Sequence, residues 1–227
     1  MNLLFGWKRF VLYVVGLFFL ALGVSLSIRA NLGVSPVSSL PYAMSLTTGI
    51  TIGVTTIVAH VLYIMIQVLL TKKFEWKGAL IQLMIAFLFG FFINTSLALV
   101  NWALPPAETI LLQALYLIVS LFLVAGGLFG YSNANFTLMP YDELTKVISS
   151  VFKMPFGKAK IIGDVINVIV AGAICLIFLR AFGSIGVGTI AASVSIGKFL
   201  DIFITYFQKP LENWLDGNQQ PEDRPAV

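Results

Sequence analysis

Six apolar runs, each long enough to cross a bilayer, constrain this chain more than any other feature. A hydrocarbon core of roughly 30 Å takes about 20 residues of helix. Runs near that length, bounded by charge, Pro or Gly, lie at Phe10 to Ile28, Ile52 to Leu70, Ala79 to Val100, Ile110 to Gly130, Ile161 to Leu179 and Val187 to Phe207. Inside lipid a segment must satisfy its own backbone N–H and C=O groups, which a helix does alone. The predicted fold class is therefore an all-α polytopic membrane protein with six transmembrane helices. Composition agrees: 59% of the 227 residues are hydrophobic and 11% charged, against about 25% charged in a soluble domain. A water-soluble enzyme, a secreted disulfide scaffold and a disordered regulator are excluded, and the lone Cys175 supports no disulfide framework. Lys8 and Arg9 precede a run too long for a secretory signal, and further spans follow it, so it reads as the first span. Residues 209–227 read as a polar, frayed cytoplasmic tail.

Six crossings put the termini and the second and fourth loops on one side. That side holds Lys8, Arg9, Lys72, Lys73, Lys77, Lys146, Lys153, Lys158, Lys160, Lys209 and Arg224, which is 11 of the 14 basic residues. The other side holds Arg29 and Arg180, with Lys198 inside the last run. Basic residues favour the cytoplasmic side, so both termini are expected in the cytoplasm and the protein in a bacterial-type inner membrane.

Sliding the chain by 104 residues aligns Gly16 to Val61 with Ser120 to Val165 without a gap, with 12 of 46 positions identical. Among them are Ala30-Asn31 with Ala134-Asn135, Gly23 with Gly127, Pro36 with Pro140, Ser45 with Ser149, Gly53 with Gly157 and Ile57 with Ile161. Beyond a gap, an offset of 107 pairs Gly90 with Gly197 and Asn94 with Asp201. Residues 1–104 and 105–208 thus form two three-span repeats, and an odd number of crossings turns the second upside down. The charges follow: Lys146, Lys153, Lys158 and Lys160 stand opposite Tyr42, Gly49, Val54 and Thr56.

In each half a segment too short to cross follows the first span, Pro36 to Thr48 and Pro140 to Phe152. Pro suits the first position of a helix, and Leu144, Val147, Ile148 and Val151 fall on one helical face. Two readings stay open: an amphipathic helix at the interface, or a re-entrant half-helix whose N-terminal amides point into a cavity. Asp142 and Glu143 would complement the dipole of such a helix and guard the cytoplasmic mouth.

Ionisable groups within spans cost on the order of 2.5 to 3.5 kcal/mol at the helix centre, so each asks for a reason. Here they are His60, Asp164, Lys198 and Asp201. His60 aligns with Asp164, and Asn94 with Asp201, so the repeat is expected to bring polar groups from four helices towards one axis. Asn167 follows Asp164 by one turn, and Asn31 and Asn135 end the first span of each half. Plainer roles exist: Lys198 and Asp201 can neutralise each other at i, i+3, and His60 can be a satisfied packing residue. Asp164 has no basic partner within its run, and a buried carboxylate needs donors, a proton or water. Gly126 and Gly130 form a small-xxx-small pair that suits a dimer face.

An intramembrane enzyme fits poorly. There is one histidine, no G-x-S-x-G and no Cys/His cluster with metal-ligand spacing, so neither a catalytic set nor a cofactor is expected. Ala30-Asn31-Leu32-Gly33-Val34-Ser35-Pro36, followed by Gly53, the Gly-x-Gly-Thr run at 186 to 189 and Gly197 to Asp201, resembles the YczE/YyaS/YitT group of bacterial membrane proteins, and the YczE branch most. The likeness covers the chain apart from the tail. In that branch, as the resemblance implies, the Pro after the first span is often followed by an aromatic residue and Asp. Pro140-Tyr141-Asp142 keeps this pattern and Pro36-Val37-Ser38 lacks the acid. The resemblance implies a polytopic inner-membrane protein and no particular substrate.

Together these features predict a secondary transporter for a small polar solute, cationic or zwitterionic, with proton coupling through Asp164 as an option. Asp164, Asp201 and His60 would couple or bind, with Asn94, Asn167, Asn31 and Asn135 as neutral hydrogen-bonders. Two rivals stand beside it: the substrate-binding membrane subunit of a larger importer, and a non-transporting scaffold or assembly factor.

Overall fold

The computed structural model describes residues 3–216, and these form eight helices with no strand among them. They are α1 (Leu3–Ala30), α2 (Pro36–Thr48), α3 (Ile52–Thr71), α4 (Trp76–Ala103), α5 (Ile110–Asn133), α6 (Pro140–Val151), α7 (Phe156–Leu179) and α8 (Val187–Asp216). All except α2 and α6 are long and apolar enough to cross a bilayer, which gives the six expected spans. The chain is a polytopic membrane protein in contact with lipid. Every span extends past its apolar run, because a helix continues until its polar ends reach water or a cap.

The last helix departs most from expectation. Residues 209–216 are not a frayed tail: α8 runs through Pro210 to Asp216. Lys8 Nζ donates to the carbonyl of Trp214 at 2.7 Å and lies over its ring, and Leu215 is buried. The start of α1 and the end of α8 therefore meet on one side. Residues 217–227, with Arg224, lie outside the described residues.

The first spans of the two halves, α1 and α5, make the most extensive contact and form the spine of the fold. They can approach because glycines face each other: a Cβ on Gly127 would lie 2.4 Å from the Leu20 amide nitrogen, and one on Gly23 2.8 Å from that of Val124. Gly126 meets the Phe203 ring of α8 and Gly130 the backbone of Gly16. The small-xxx-small face expected to serve a dimer is thus spent on packing within the chain. On the spine lie Tyr13, Leu17, Ala21 and Tyr131, with Ile85, Phe89 and Ile93 of α4 against them.

Matching segments of the two halves have matching local structure. Asn31 and Asn135 both take the left-handed conformation at φ 56° just past their helices, where Asn serves as a terminator. Pro36 and Pro140 both open short helices. Ser45 Oγ donates to the carbonyl of Ile50 and Ser149 Oγ to that of Met154, each at 2.7 Å. The short helices are exchanged between halves: α2 packs on α7, and α6 on α3.

Candidate functional site

Where the exchanged helices meet, α3, α6 and α7 bring their polar side chains together. Tyr63 lies 11 residues after the start of α3 and Asn167 11 residues after the start of α7, about 16 Å along each helix and near the middle of a 30 Å core. The Tyr63 hydroxyl donates to Asn167 Oδ1 at 3.0 Å. These residues are 104 apart, the offset at which the two parts of the sequence align.

Around that bond lies a polar belt. The Tyr141 hydroxyl, from the second residue of α6, donates to Asp164 Oδ1. Gly163 permits this approach, since a Cβ there would lie 3.0 Å from that hydroxyl oxygen. Tyr141 itself is buried. Its ring packs edge-on against Tyr63 at 5.4 Å and lies beneath Lys160 Nζ. Towards the side of the termini, Gln67 Nε2 donates to Gln82 Oε1 at 3.0 Å and to the Pro140 carbonyl at 2.9 Å, and Gln82 returns a bond to Gln67.

Two buried atoms of this belt are left over. His60 Nδ1 and Asn167 Nδ2 have no hydrogen-bond partner, although His60 is 2% exposed and Asn167 5% exposed. His60 stacks on Phe89 and sits 6.0 Å from the Tyr63 ring. An unpaired polar atom at such depth costs on the order of 1–3 kcal/mol, and groups of this kind call for an account. His60 is thus not the fully satisfied packing residue considered above.

The two short helices are buried at their starts and exposed at their ends. Pro36 and Pro140 are buried, whereas Gly49 and Phe152 at the other ends are exposed. Both helices point their N-termini inward, and α6 delivers Tyr141 to the centre of the molecule. Asp142 turns inward as well: it accepts from the Tyr131 hydroxyl and pairs with Lys160 at 3.5 Å. Glu143 pairs with Lys146 and lines a cleft of about 250 Å³ with Gln67, Lys73, Glu75 and Gln82.

The expected convergence of four helices is corrected in part. Asp164, His60 and Asn167 come together around Tyr63 and Tyr141, and Asp164 does have a partner, the Tyr141 hydroxyl, whereas Lys160 one turn earlier pairs with Asp142. Asn94 serves elsewhere, accepting from the Gly53 amide at 2.9 Å. Asn31 and Asn135 are exposed helix terminators. Lys198 and Asp201 do not join the belt; they lie on an exposed face of α8, and no ion pair links them among the described residues. Sequence alone does not mark Tyr63, Gln67 or Gln82 as site residues; it brings in Tyr141 only through the Pro-aromatic-Asp pattern and Lys160 only as a topology charge. The offset that paired His60 with Asp164 also pairs Tyr63 with Asn167, which was a readable signal. Among the described residues, no three His, Cys, Asp or Glu side chains gather as a metal site.

The model of a family of unknown function, DUF6198, matches residues 7–205. Uncharacterized protein YyaS of Bacillus subtilis is 28% identical over 206 residues, covering 88% of this chain and 94% of that protein. Uncharacterized membrane protein YczE of the same organism is 30% identical over 142 residues, covering 62% of this chain and 63% of that protein. No solved structure matches the chain.

Proposed function

We propose that this chain, which belongs to the DUF6198 family, is a secondary transporter rather than an enzyme, and that the belt around Tyr63, Tyr141, Asp164 and Asn167 holds a small polar solute. The observation that carries the reading is the pair of unpartnered buried atoms, His60 Nδ1 and Asn167 Nδ2, in the same belt as the half-buried carboxylate of Asp164. A bound solute would satisfy what the protein leaves unsatisfied. Asp164 and the tyrosine rings favour a cationic or zwitterionic solute. The inward N-termini of α2 and α6 add partial positive charge suited to an acidic group on such a solute. An inverted 3+3 repeat would supply the two-fold relation between halves, with both termini in the cytoplasm. Proton coupling would run through Asp164, whose partner is the Tyr141 hydroxyl.

The test is thermal unfolding of the purified protein against a library of metabolites, for wild type and Asp164→Asn at two pH values. A solute at 100 times its dissociation constant stabilises the folded state by about 2.7 kcal/mol. A rise in midpoint for wild type that Asp164→Asn abolishes, with the apo variant folded as wild type, is the expected outcome. No shift with any solute, together with an unchanged or raised apo midpoint for Asp164→Asn, would move the scaffold reading ahead.

A further inference from the structure

The second and third spans of the first half are packed, and their equivalents in the second half are not. α3 and α4 cross in contact, whereas α7 and α8 barely touch. In the first half the crossing rests on two glycines: a Cβ on Gly53 would lie 2.2 Å from the Gly90 carbonyl oxygen, and one on Gly90 2.8 Å from Ile57. Asn94 locks it by accepting from the Gly53 amide. The second half carries the same set, Gly157, Ile161, Gly197 and Asp201, yet Gly157 and Gly197 have nothing within 4 Å.

We propose that Gly157, Ile161, Gly197 and Asp201 form a latch that is open in this state and closes α8 onto α7 in a second state, with Asp201 accepting from the Gly157 amide as Asn94 does from Gly53. The proposal rests on the transport reading and gives it its moving part. Three further observations fit. Lys198 and Asp201 lie within a span yet on an exposed face, a poor place for charge if the face stayed against lipid. The side away from the termini is shut by backbone bonds between loops, Val34 to Ser184 at 3.1 Å and Gly188 to Leu32 at 2.7 Å. The side of the termini has a separate cleft, between α3, α4 and α6. In the first half Phe89 covers His60; the equivalents are Ile196 and Asp164, so closure would cover the half-buried Asp164. Closure of α8 onto α7 then changes the cover over Asp164 and leaves the cleft between α3, α4 and α6 in place.

Spin labels on Lys158→Cys and Thr205→Cys, in a Cys175→Ser background in nanodiscs, read the α7 to α8 distance without any solute. Two populations are expected. Gly197→Leu should remove the shorter one while melting as wild type, because its side chain meets nothing in the open state. Asp201→Asn, which copies the first half, should keep or raise the shorter one, and Asp201→Ala should lower it. A single distance in wild type that Gly197→Leu leaves unchanged would overturn the latch, as would a Gly197→Leu protein that fails to fold. A short distance that vanishes on dilution with unlabelled protein would also overturn it, by placing a second copy on that face. A single distance beside a solute shift lost in Asp164→Asn would remove the latch and leave the binding reading standing.

Discussion

The α3–α4 and α7–α8 pairs carry aligned glycines, Gly53 with Gly157 and Gly90 with Gly197, yet 44% and 39% of the most apolar windows of α3 and α4 are buried, against 17% in both α7 and α8. A glycine in a membrane helix lets another backbone approach, and it costs helix stability where nothing does. The first pair uses its glycines in the observed state. The second keeps the same residues without using them, so local sequence encodes a contact that this state does not contain.

The largest expected effect breaks that equality at its root. Gly53→Leu places a side chain 2.2 Å or less from the Gly90 carbonyl and should cost about 3 kcal/mol or more. Gly157→Leu meets open space and should stay within about 0.5 kcal/mol of wild type. Equal losses in reversible unfolding in mixed micelles would show that α7 is packed after all. Next comes the polar lock. Asn94→Ala removes the acceptor of the Gly53 amide and should cost about 1 kcal/mol, whereas Asp201→Ala should leave the midpoint nearly unchanged.

Where α3 meets α7, Tyr63→Phe and Asn167→Leu should be coupled by about 1 kcal/mol in a double-mutant cycle. Additive losses would show that Tyr63 and Asn167 do not share that bond. The smallest expected effect probes likeness rather than difference. Ser45→Ala and Ser149→Ala each remove one bond to a carbonyl five residues on and should cost a similar amount, about 0.5 to 1 kcal/mol. A clear inequality would show that the matching turns carry unequal load.

Much of this architecture is legible in the sequence because the bilayer allows few solutions. Six apolar runs give six spans, Pro36 and Pro140 mark the short helices, and the offset of 104 residues pairs Asn31 with Asn135 down to a shared backbone angle. The end of α8 was misread because hydropathy locates the membrane and not the helix. Residues 209–216 are polar enough to leave the bilayer, and the docking of Trp214 on Lys8 that accompanies their helix is a tertiary contact. The site was half legible. Charged groups within spans drew notice, so Asp164 and His60 stood out, while Tyr63, Gln67 and Gln82 blended into an amphipathic background. Periodicity says which residues share a helix face and nothing about which neighbour that face meets. Hence Asp201, equivalent to an engaged Asn94, was expected at the centre and lies on the open side of α8.

Transport by the chain alone is tested most directly by uptake into liposomes that contain this protein and no other, using a solute found to raise its unfolding midpoint. Saturable uptake down the solute's gradient, abolished by Asp164→Asn and halted by Gly197→Leu, is the expected result. Tight binding of that solute with no uptake by the lone protein would contradict transport and assign the belt to a capture subunit.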